Sequence, residues 1–179
     1  MNAVFGLYAQ GARFADRQAD WLVPTLARLV FAAVLAGYFW ASALTKLDGP
    51  FTPSLGAYAQ IFPRMFEAAG YDVSQMGLWQ WLVALAGAWA EFALPALIVL
   101  GLFTRVAALG MAGFVVVQSL TDIYGHDAAA GAWFDRASDA LILDQRALWM
   151  LLLVALVLKG GGPFSADRLL GVERTRLAA

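Results

Sequence analysis

Long apolar runs alternate with polar segments along the chain, and four of the runs are long enough to cross a bilayer, which takes roughly 20 residues. The predicted spans are 22–44, 79–102, 105–122 and 143–160, and the last two include a few polar residues at their ends. Tryptophans lie at or near the span ends, as in an interfacial aromatic belt: Trp21, Trp40, Trp79, Trp81 and Trp149. The pattern predicts an all-α protein, a four-helix transmembrane bundle that forms one domain over 1–179.

The polar segments predict two long loops on one side of the membrane and a tight turn on the other. The first loop, 45–78, contains a patch between Pro53 and Pro63 that is compatible with a helix across the bundle mouth. The second loop, 123–142, carries several aspartates and the histidine. Before the first span no cleaved signal is expected, and Val4–Tyr8 is interpreted either as an amphipathic surface helix or as a frayed tail.

The distribution of Lys and Arg predicts the orientation. Four spans place both termini on one side, which holds seven basic residues: Arg13, Arg17, Arg105, Lys159, Arg168, Arg174 and Arg176. The opposite loops hold four: Lys46, Arg64, Arg136 and Arg146. The positive-inside rule then predicts that both termini are cytoplasmic and that both long loops face outward.

Composition agrees with a membrane protein and excludes several kinds of chemistry. Of the 179 residues 61% are hydrophobic and 14% are charged, against roughly 45–50% and 25% in soluble domains. The net charge of −1 provides no basic field for nucleic acid. The absence of cysteine excludes disulfides, thiol catalysis and cysteine metal sites, and the single histidine excludes a bis-histidine haem built from this chain alone.

Two charged residues fall well inside predicted spans, away from the polar span ends, where charges are rare and usually functional or paired. Arg28 lies about 9 Å, and Glu91 about 12 Å, from the cytoplasmic face at 1.5 Å per residue. These depths predict that Arg28 and Glu91 pair across the first two helices. Pro95 has no N–H to bind the Glu91 carbonyl. The place is interpreted either as a site for a proton, cation or polar head group, or as a lock between two helices.

A second polar set is predicted near the outer interface. Lys46 follows Arg28 by five helical turns, which places both on one helix face, with Ser42 near it. Gln118 and Asp122 are neighbours on the third helix, and Asp122 is expected at the height of Lys46. The set is compatible with a ligand site, or with a snorkelling lysine beside an interfacial cap.

No metal site is predicted. The weak candidate is His126, because its imidazole and the thioether of Met65 or Met76 would suit copper. One histidine and two scattered methionines do not make a specific signal.

Small residues recur at helical spacing in the first three spans and predict close helix packing without a wide pore. They are Ala33, Gly37 and Ala41 in the first span, Ala84, Gly87 and Ala88 in the second, and Ala108, Ala112 and Gly113 in the third.

Four motifs in order resemble the DoxX family of small bacterial inner-membrane proteins. They are the lysine that ends Tyr38–Lys46, the glutamate and proline of Ala90–Pro95, the Gly-x-x-Thr-Arg turn of Gly101–Arg105, and the closing Gly-Pro-x-Ser-x-Asp signature of Gly162–Asp167. The resemblance covers about 22–170. It departs from the family at Ala166, where leucine is common.

The resemblance implies a multi-pass protein of the bacterial inner (plasma) membrane. The family is similar to the small membrane subunit of an archaeal thiosulfate:quinone oxidoreductase, and other members resemble scaffolds that hold redox enzymes at the membrane. This chain has no evident cofactor motif, so it is expected to supply at most a quinone pocket or a docking surface. The candidate functional residues are Arg28, Lys46, Glu91, Pro95, Arg105, Gln118 and Asp122, and none is assigned as catalytic.

Three functions are therefore weighed, with the lipid bilayer and protein partners or a homo-oligomer as the expected surroundings. The first is a non-catalytic membrane subunit or anchor of a redox, quinone-linked complex. The second is a scaffold or assembly factor that acts through its outward loops around Trp133, Phe134 and Asp135. The third is a small transporter, which four tight helices without an inverted repeat make less favoured. A stand-alone enzyme is not favoured, because the sequence shows no activated nucleophile, phosphate loop or metal triad.

Overall fold

The computed structural model describes residues 2–172, so Arg174 and Arg176 of the predicted cytoplasmic side lie outside the described residues. The α-helices are α1 (Asn2–Phe31), α2 (Gly37–Leu44), α3 (Leu55–Ile61), α4 (Pro63–Ala68), α5 (Leu78–Leu100), α6 (Thr104–Gly125), α7 (Arg146–Lys159) and α8 (Ala166–Leu169). Two π-helical segments, Ala32–Ala36 and Leu141–Gln145, directly precede α2 and α7. A short 3₁₀ turn occupies Val73–Gln75, and strands β1 (Leu47–Gly49) and β2 (Thr52–Pro53) form a small antiparallel hairpin.

Four helices of the described chain are long and apolar enough to span a membrane: Val4–Leu44, Leu78–Leu100, Thr104–Gly125 and Leu141–Lys159. The predicted all-α, four-helix architecture is therefore confirmed. The helices pack as a bundle in which α6 lies against α7, α7 against α1, and α5 against both α2 and α6. We call the end with Gly101–Thr104 the inner end and the end with the long loops the outer end.

The first spanning helix is much longer than its predicted span. It has 41 residues from Val4 to Leu44, or about 60 Å at 1.5 Å per residue, against a hydrocarbon core of about 30 Å. Val4–Tyr8 belongs to this same helix, so neither a frayed tail nor a separate surface helix is found. At the inner end Lys159 Nζ lies 2.7 Å from Asp20 Oδ1 and ties this helix to α7.

The π-helical turn changes which residues of the first helix share a face. A π turn holds one extra residue, which rotates everything beyond it by about 100° relative to an unbroken α-helix. The helix also ends at Leu44, two residues before Lys46. The predicted common face of Arg28 and Lys46 is therefore wrong, because it assumed five regular turns between them.

The core of the bundle is a set of interlocking apolar side chains from all four spans, completely or nearly buried: Phe31, Leu35, Phe39, Ile98, Met111, Val115, Leu153 and Leu156. The predicted packing of small residues is confirmed for Ala84, Ala88, Ala108 and Ala112, which are buried. It is wrong for the first span, where Ala33, Gly37 and Ala41 are exposed, and for Gly113 of the third span, which is also exposed.

The first outer loop folds onto the start of α5. Ser54 caps α3, since its Oγ accepts a hydrogen bond of 3.2 Å from the Ala57 amide, and the predicted helix between the two prolines is found. Tyr58 and Phe66 pack with Ala84 in a small buried cluster. Burial raises the pKa of the Tyr58 hydroxyl above its ordinary value. This cluster fixes α3 above the gap between α2, α5 and α6.

Candidate functional site

A buried ion pair joins the end of the first spanning helix to the middle of α5. Lys46 Nζ lies 2.8 Å from Glu91 Oε2 and 3.0 Å from Oε1. Ser42 Oγ accepts from Lys46 Nζ at 2.6 Å and donates to Glu91 Oε1 at 3.2 Å. Lys46 is 5% exposed and Glu91 2% exposed. Both charges are thus removed from water, and each is satisfied chiefly by the other and by Ser42.

The predicted pairing of Arg28 with Glu91 is therefore wrong, and the reason is side-chain direction. Side chains of a helix tilt toward its N-terminus. The helix with Arg28 starts at the inner end, so its side chains extend inward. Glu91 lies on α5, which starts at the outer end, so its carboxylate extends outward. Position along the bundle adds to this, since Arg28 reaches the Ile98 and Val99 carbonyls, seven and eight residues beyond Glu91 on α5. Glu91 lies beside Ser42 and meets Lys46 instead.

Arg28 binds backbone carbonyl oxygens at the inner end. Its Nε donates to Ile98 O at 3.0 Å and its Nη2 to Val99 O at 2.6 Å, in the last turn of α5. Its Nη1 donates to Gly161 O at 2.9 Å and Phe164 O at 3.0 Å. The last carbonyls of a helix lack intrahelical partners, and here the Arg28 guanidinium donates hydrogen bonds to them. The same guanidinium also binds two carbonyls of the closing segment.

The other inner-end motif residues also complete helix ends. Gly101, at φ 70°, ends α5, and a Cβ on it would lie 2.6 Å from that of Ser165, which only glycine avoids. Asp167 accepts hydrogen bonds from the Phe103 and Thr104 amides at 2.6 and 2.8 Å, at the start of α6. Arg105 Nη1 donates to the carbonyls of Val157 and Leu158 near the end of α7. These contacts join the ends of α5, α6 and α7 to one another and to the closing segment.

A cavity of about 580 Å³ opens between α2, α5 and α6 in the outer part of the bundle. Its polar side chains come from several elements: Tyr38, Ser42, Lys46, Gln60, Glu91, Gln118, Thr121, Asp122, His126 and Arg146. Its apolar wall is built largely from small residues, with Ala86, Gly87 and Ala90 between Glu91 and the outer start of α5, and Leu94, Gly110, Gly113 and Phe114 deeper in the bundle. The volume lies within the roughly 300–1,000 Å³ of small-molecule sites.

A second ion pair forms the far wall of this cavity. Arg146, 3% exposed, donates through Nη2 to Asp122 Oδ2 and through Nη1 to Ser119 Oγ at 3.0 Å. Its guanidinium also lies 5.9 Å from the ring centroid of Trp149. The π-helical segment Leu141–Gln145 leads directly into Arg146 and precedes the regular turns of α7.

Two buried polar atoms in the cavity wall have no hydrogen-bond partner among residues 2–172: Arg146 Nε and Gln118 Oε1. Gln118 Nε2 lies 3.0 Å from the Tyr38 hydroxyl, so the amide is held on one side and unsatisfied on the other. Leaving a buried donor or acceptor unpaired costs about 1–3 kcal/mol. A ligand in the cavity that offers both an acceptor and a donor would satisfy both atoms.

The remaining sequence candidates lie at the edge of the cavity or outside it. His126 Nε2 lies 3.0 Å from the Gln60 carbonyl oxygen at the mouth. Met65 Sδ accepts a hydrogen bond from Gln80 Nε2, and no group of three or more His, Cys, Asp or Glu within 2–172 has the arrangement of a metal site. Pro95 is buried within α5, which continues through it.

The structure thus separates the predicted candidates into two groups. Lys46, Glu91, Gln118 and Asp122 meet around the cavity, whereas Arg28 and Arg105 complete helix ends on the opposite side of the bundle. Sequence reasoning missed three contributors: Tyr38, Arg146 and Asp167. Arg146 was counted as a loop charge because it stands at the edge of an apolar run. Asp167 belongs to the closing signature of the sequence, but that signature does not indicate that its carboxylate binds the amides at the start of α6.

The fold and the site define a class of protein: a four-span membrane protein with a partly polar cavity between its helices toward the outer end. Within that class, the family model for DoxX matches residues 24–121. The chain therefore belongs to the DoxX family. No curated protein and no solved structure gives a significant match.

Proposed function

We propose that the protein is a non-catalytic membrane subunit or anchor of a redox complex in the bacterial inner membrane, and that its cavity binds a quinone. The observation that carries the proposal is the cavity itself, which combines a group of polar side chains with an apolar wall of small residues. A quinone has this distribution: a ring with carbonyl oxygens that accept hydrogen bonds, and an apolar tail.

The donors around the polar end suit such a ring. Arg146 Nε is an unpaired donor in a residue that lines the cavity, and Gln118 Nε2, which donates one N–H to Tyr38, has a second N–H for a ring oxygen. The unpaired Gln118 Oε1 can accept from a hydroxyl of the reduced quinol. The two carboxylates of the cavity are each paired with a basic side chain, Glu91 with Lys46 and Asp122 with Arg146. The polar end is therefore close to neutral overall, which favours an uncharged polar head over an ion.

We expect Gln118→Leu to weaken quinone binding about tenfold, which corresponds to about 1.4 kcal/mol, because the leucine lacks the second amide N–H that can donate to a ring oxygen. The measurement is quenching of tryptophan fluorescence when a decyl-tailed benzoquinone is titrated into the purified protein. Trp149, in contact with Arg146, is the expected reporter, and Trp149→Phe identifies its share of the signal.

The matched control is Gln80→Leu, the same substitution at a glutamine that contacts Met65 outside the cavity. It should bind the quinone as the wild type does. Absence of saturable quenching in the wild type, or equal weakening by both substitutions, contradicts a quinone site. Extraction from native membranes in mild detergent, followed by mass spectrometry, tests the complex, and a lone protein without a redox partner would argue against a subunit.

A second function, a scaffold that acts through the outer loops, is favoured by one observation. Phe134 is fully exposed, at φ 65°, next to a Trp133 whose Nε1 donates to Leu143 O at 2.8 Å. An exposed aromatic side chain is a typical protein-interface anchor.

If the scaffold function holds, Phe134→Ser should abolish capture of a partner from native membranes and leave quinone binding unchanged. The control is Phe51→Ser, which removes an exposed phenylalanine from the first outer loop. Retention of the partner by Phe134→Ser would exclude this loop as the docking surface.

A further inference from the structure

The cavity has an open side that faces the membrane. Several residues of its wall are exposed although they lie in the middle of spanning helices: Ala86, Gly110, Gly113 and Val117. Gly113 stands about 14 Å from the start of α6 at 1.5 Å per residue, close to the middle of that helix. A Cβ at Gly113 would meet nothing within 4 Å. The gap between α5 and α6 is therefore not filled by any described side chain at this depth.

The glycines explain why the gap exists. A Cβ at Gly110 would lie 3.2 Å from Leu94 Cδ2, so α5 and α6 approach each other at Gly110 and separate by Gly113. Glycine in a helix interior costs roughly 1 kcal/mol relative to alanine. At Gly113 no packing contact offsets this cost, although in membranes glycine usually serves close helix approach.

The polar end lies just above this opening. Gln118 is about 8 Å farther along α6 than Gly113, and its Oε1 and Arg146 Nε are the unpaired buried atoms of the cavity wall. A molecule that places a polar head at these two atoms would direct its remainder down toward Gly113 and out between the helices.

We propose that the ligand enters the cavity sideways from the membrane, between α5 and α6 at Gly113, and is a single-tailed amphipathic molecule whose tail stays in this gap. The proposal rests on the proposed function in that it takes the cavity to hold a lipid-soluble ligand. It adds the route and the requirement for a tail. The outer mouth at Gln60 and His126, both exposed, then admits water and small polar solutes.

Gly113→Leu tests the opening, because the added side chain has room and leucine is a better helix former than glycine. In protein reconstituted in lipid nanodiscs, we expect it to lower the affinity for a decyl-tailed benzoquinone at least tenfold. Binding of the same ring without the tail, which has access through the outer mouth, should change less than twofold. The matched control is Gly37→Leu, at an exposed glycine that also has nothing within 4 Å and does not line the cavity.

The outcomes separate this proposal from the quinone site. If Gly113→Leu binds the tailed quinone as the wild type does, or if the wild type binds the tail-less ring better than the tailed one, the membrane opening is wrong and the quinone site stands. If the wild type binds neither compound, both are overturned. Equal losses in Gly113→Leu and Gly37→Leu would mean a general effect of leucine in the helices, which also contradicts the proposal.

Discussion

Lys46→Met is expected to lower the free energy of unfolding by about 3–5 kcal/mol. The substitution removes one partner of a pair in which both side chains are almost fully buried, and an uncompensated buried charge costs about this much. The double variant Lys46→Met/Glu91→Gln leaves no unpaired charge, and Ser42 can still hydrogen-bond the amide. It should recover most of the lost stability. The measurement is unfolding in mixed SDS micelles, followed by circular dichroism.

The exposed pair between Arg64 and Asp127 provides the control. Its atoms approach to 2.7 Å, but both side chains are mostly exposed, and exposed pairs contribute about 0–1 kcal/mol. Arg64→Met should therefore change stability little. If Lys46→Met were as stable as Arg64→Met, the cavity would be hydrating the remaining carboxylate and the pair would not be a dry one. If the double variant were less stable than either single one, the pair would not act as a unit.

The four spans could be predicted from sequence because each is an apolar run of the length that the bilayer requires. The hydropathy pattern could not predict which residues of a span share one face of the helix. Ala32–Ala36 is a run of good apolar helix residues with no proline or glycine, so nothing in it signals a π turn. The residues before Trp21 contain two glycines, Gly6 and Gly11, but no proline, and the helix continues through them.

The polar residues of the site could be found from sequence, but not their partners. Arg28 and Glu91 stand out as charges within spans, and their depths agree within the length of either side chain. These depths count from the predicted span ends, but the first helix begins well before its predicted start, and depth also ignores the direction in which a side chain extends. Glu91 therefore lies beside Ser42 and meets Lys46. Arg146 was hidden for a related reason, since a charge at the end of an apolar run is normally solvated and here is buried against Asp122.

Asp167→Asn is expected to lower the free energy of unfolding by about 2–4 kcal/mol, although the side chain keeps its shape. Asp167 is 1% exposed. Its Oδ1 accepts from the Phe103 amide, and its Oδ2 accepts from the amide and hydroxyl of Thr104. Asparagine provides one acceptor oxygen, so donors at the start of α6 lose their partner, and hydrogen bonds to charged groups contribute about 1.5–3 kcal/mol each. The loss of negative charge at a helix N-terminus adds up to about 1 kcal/mol.

Thr104→Val is the comparison for this end of the bundle, because it removes a single donor to Asp167 and keeps both amide bonds. We expect a loss of about 1–2 kcal/mol, clearly smaller than that of Asp167→Asn in the same SDS titration. Since the inner end lies away from the cavity, Thr104→Val should also bind quinone as the wild type does. Equal stability of Asp167→Asn and the wild type would mean that the closing segment does not hold the α5–α6 turn. A changed quinone affinity in Thr104→Val would show that the two ends of the bundle are coupled, contrary to their separate roles.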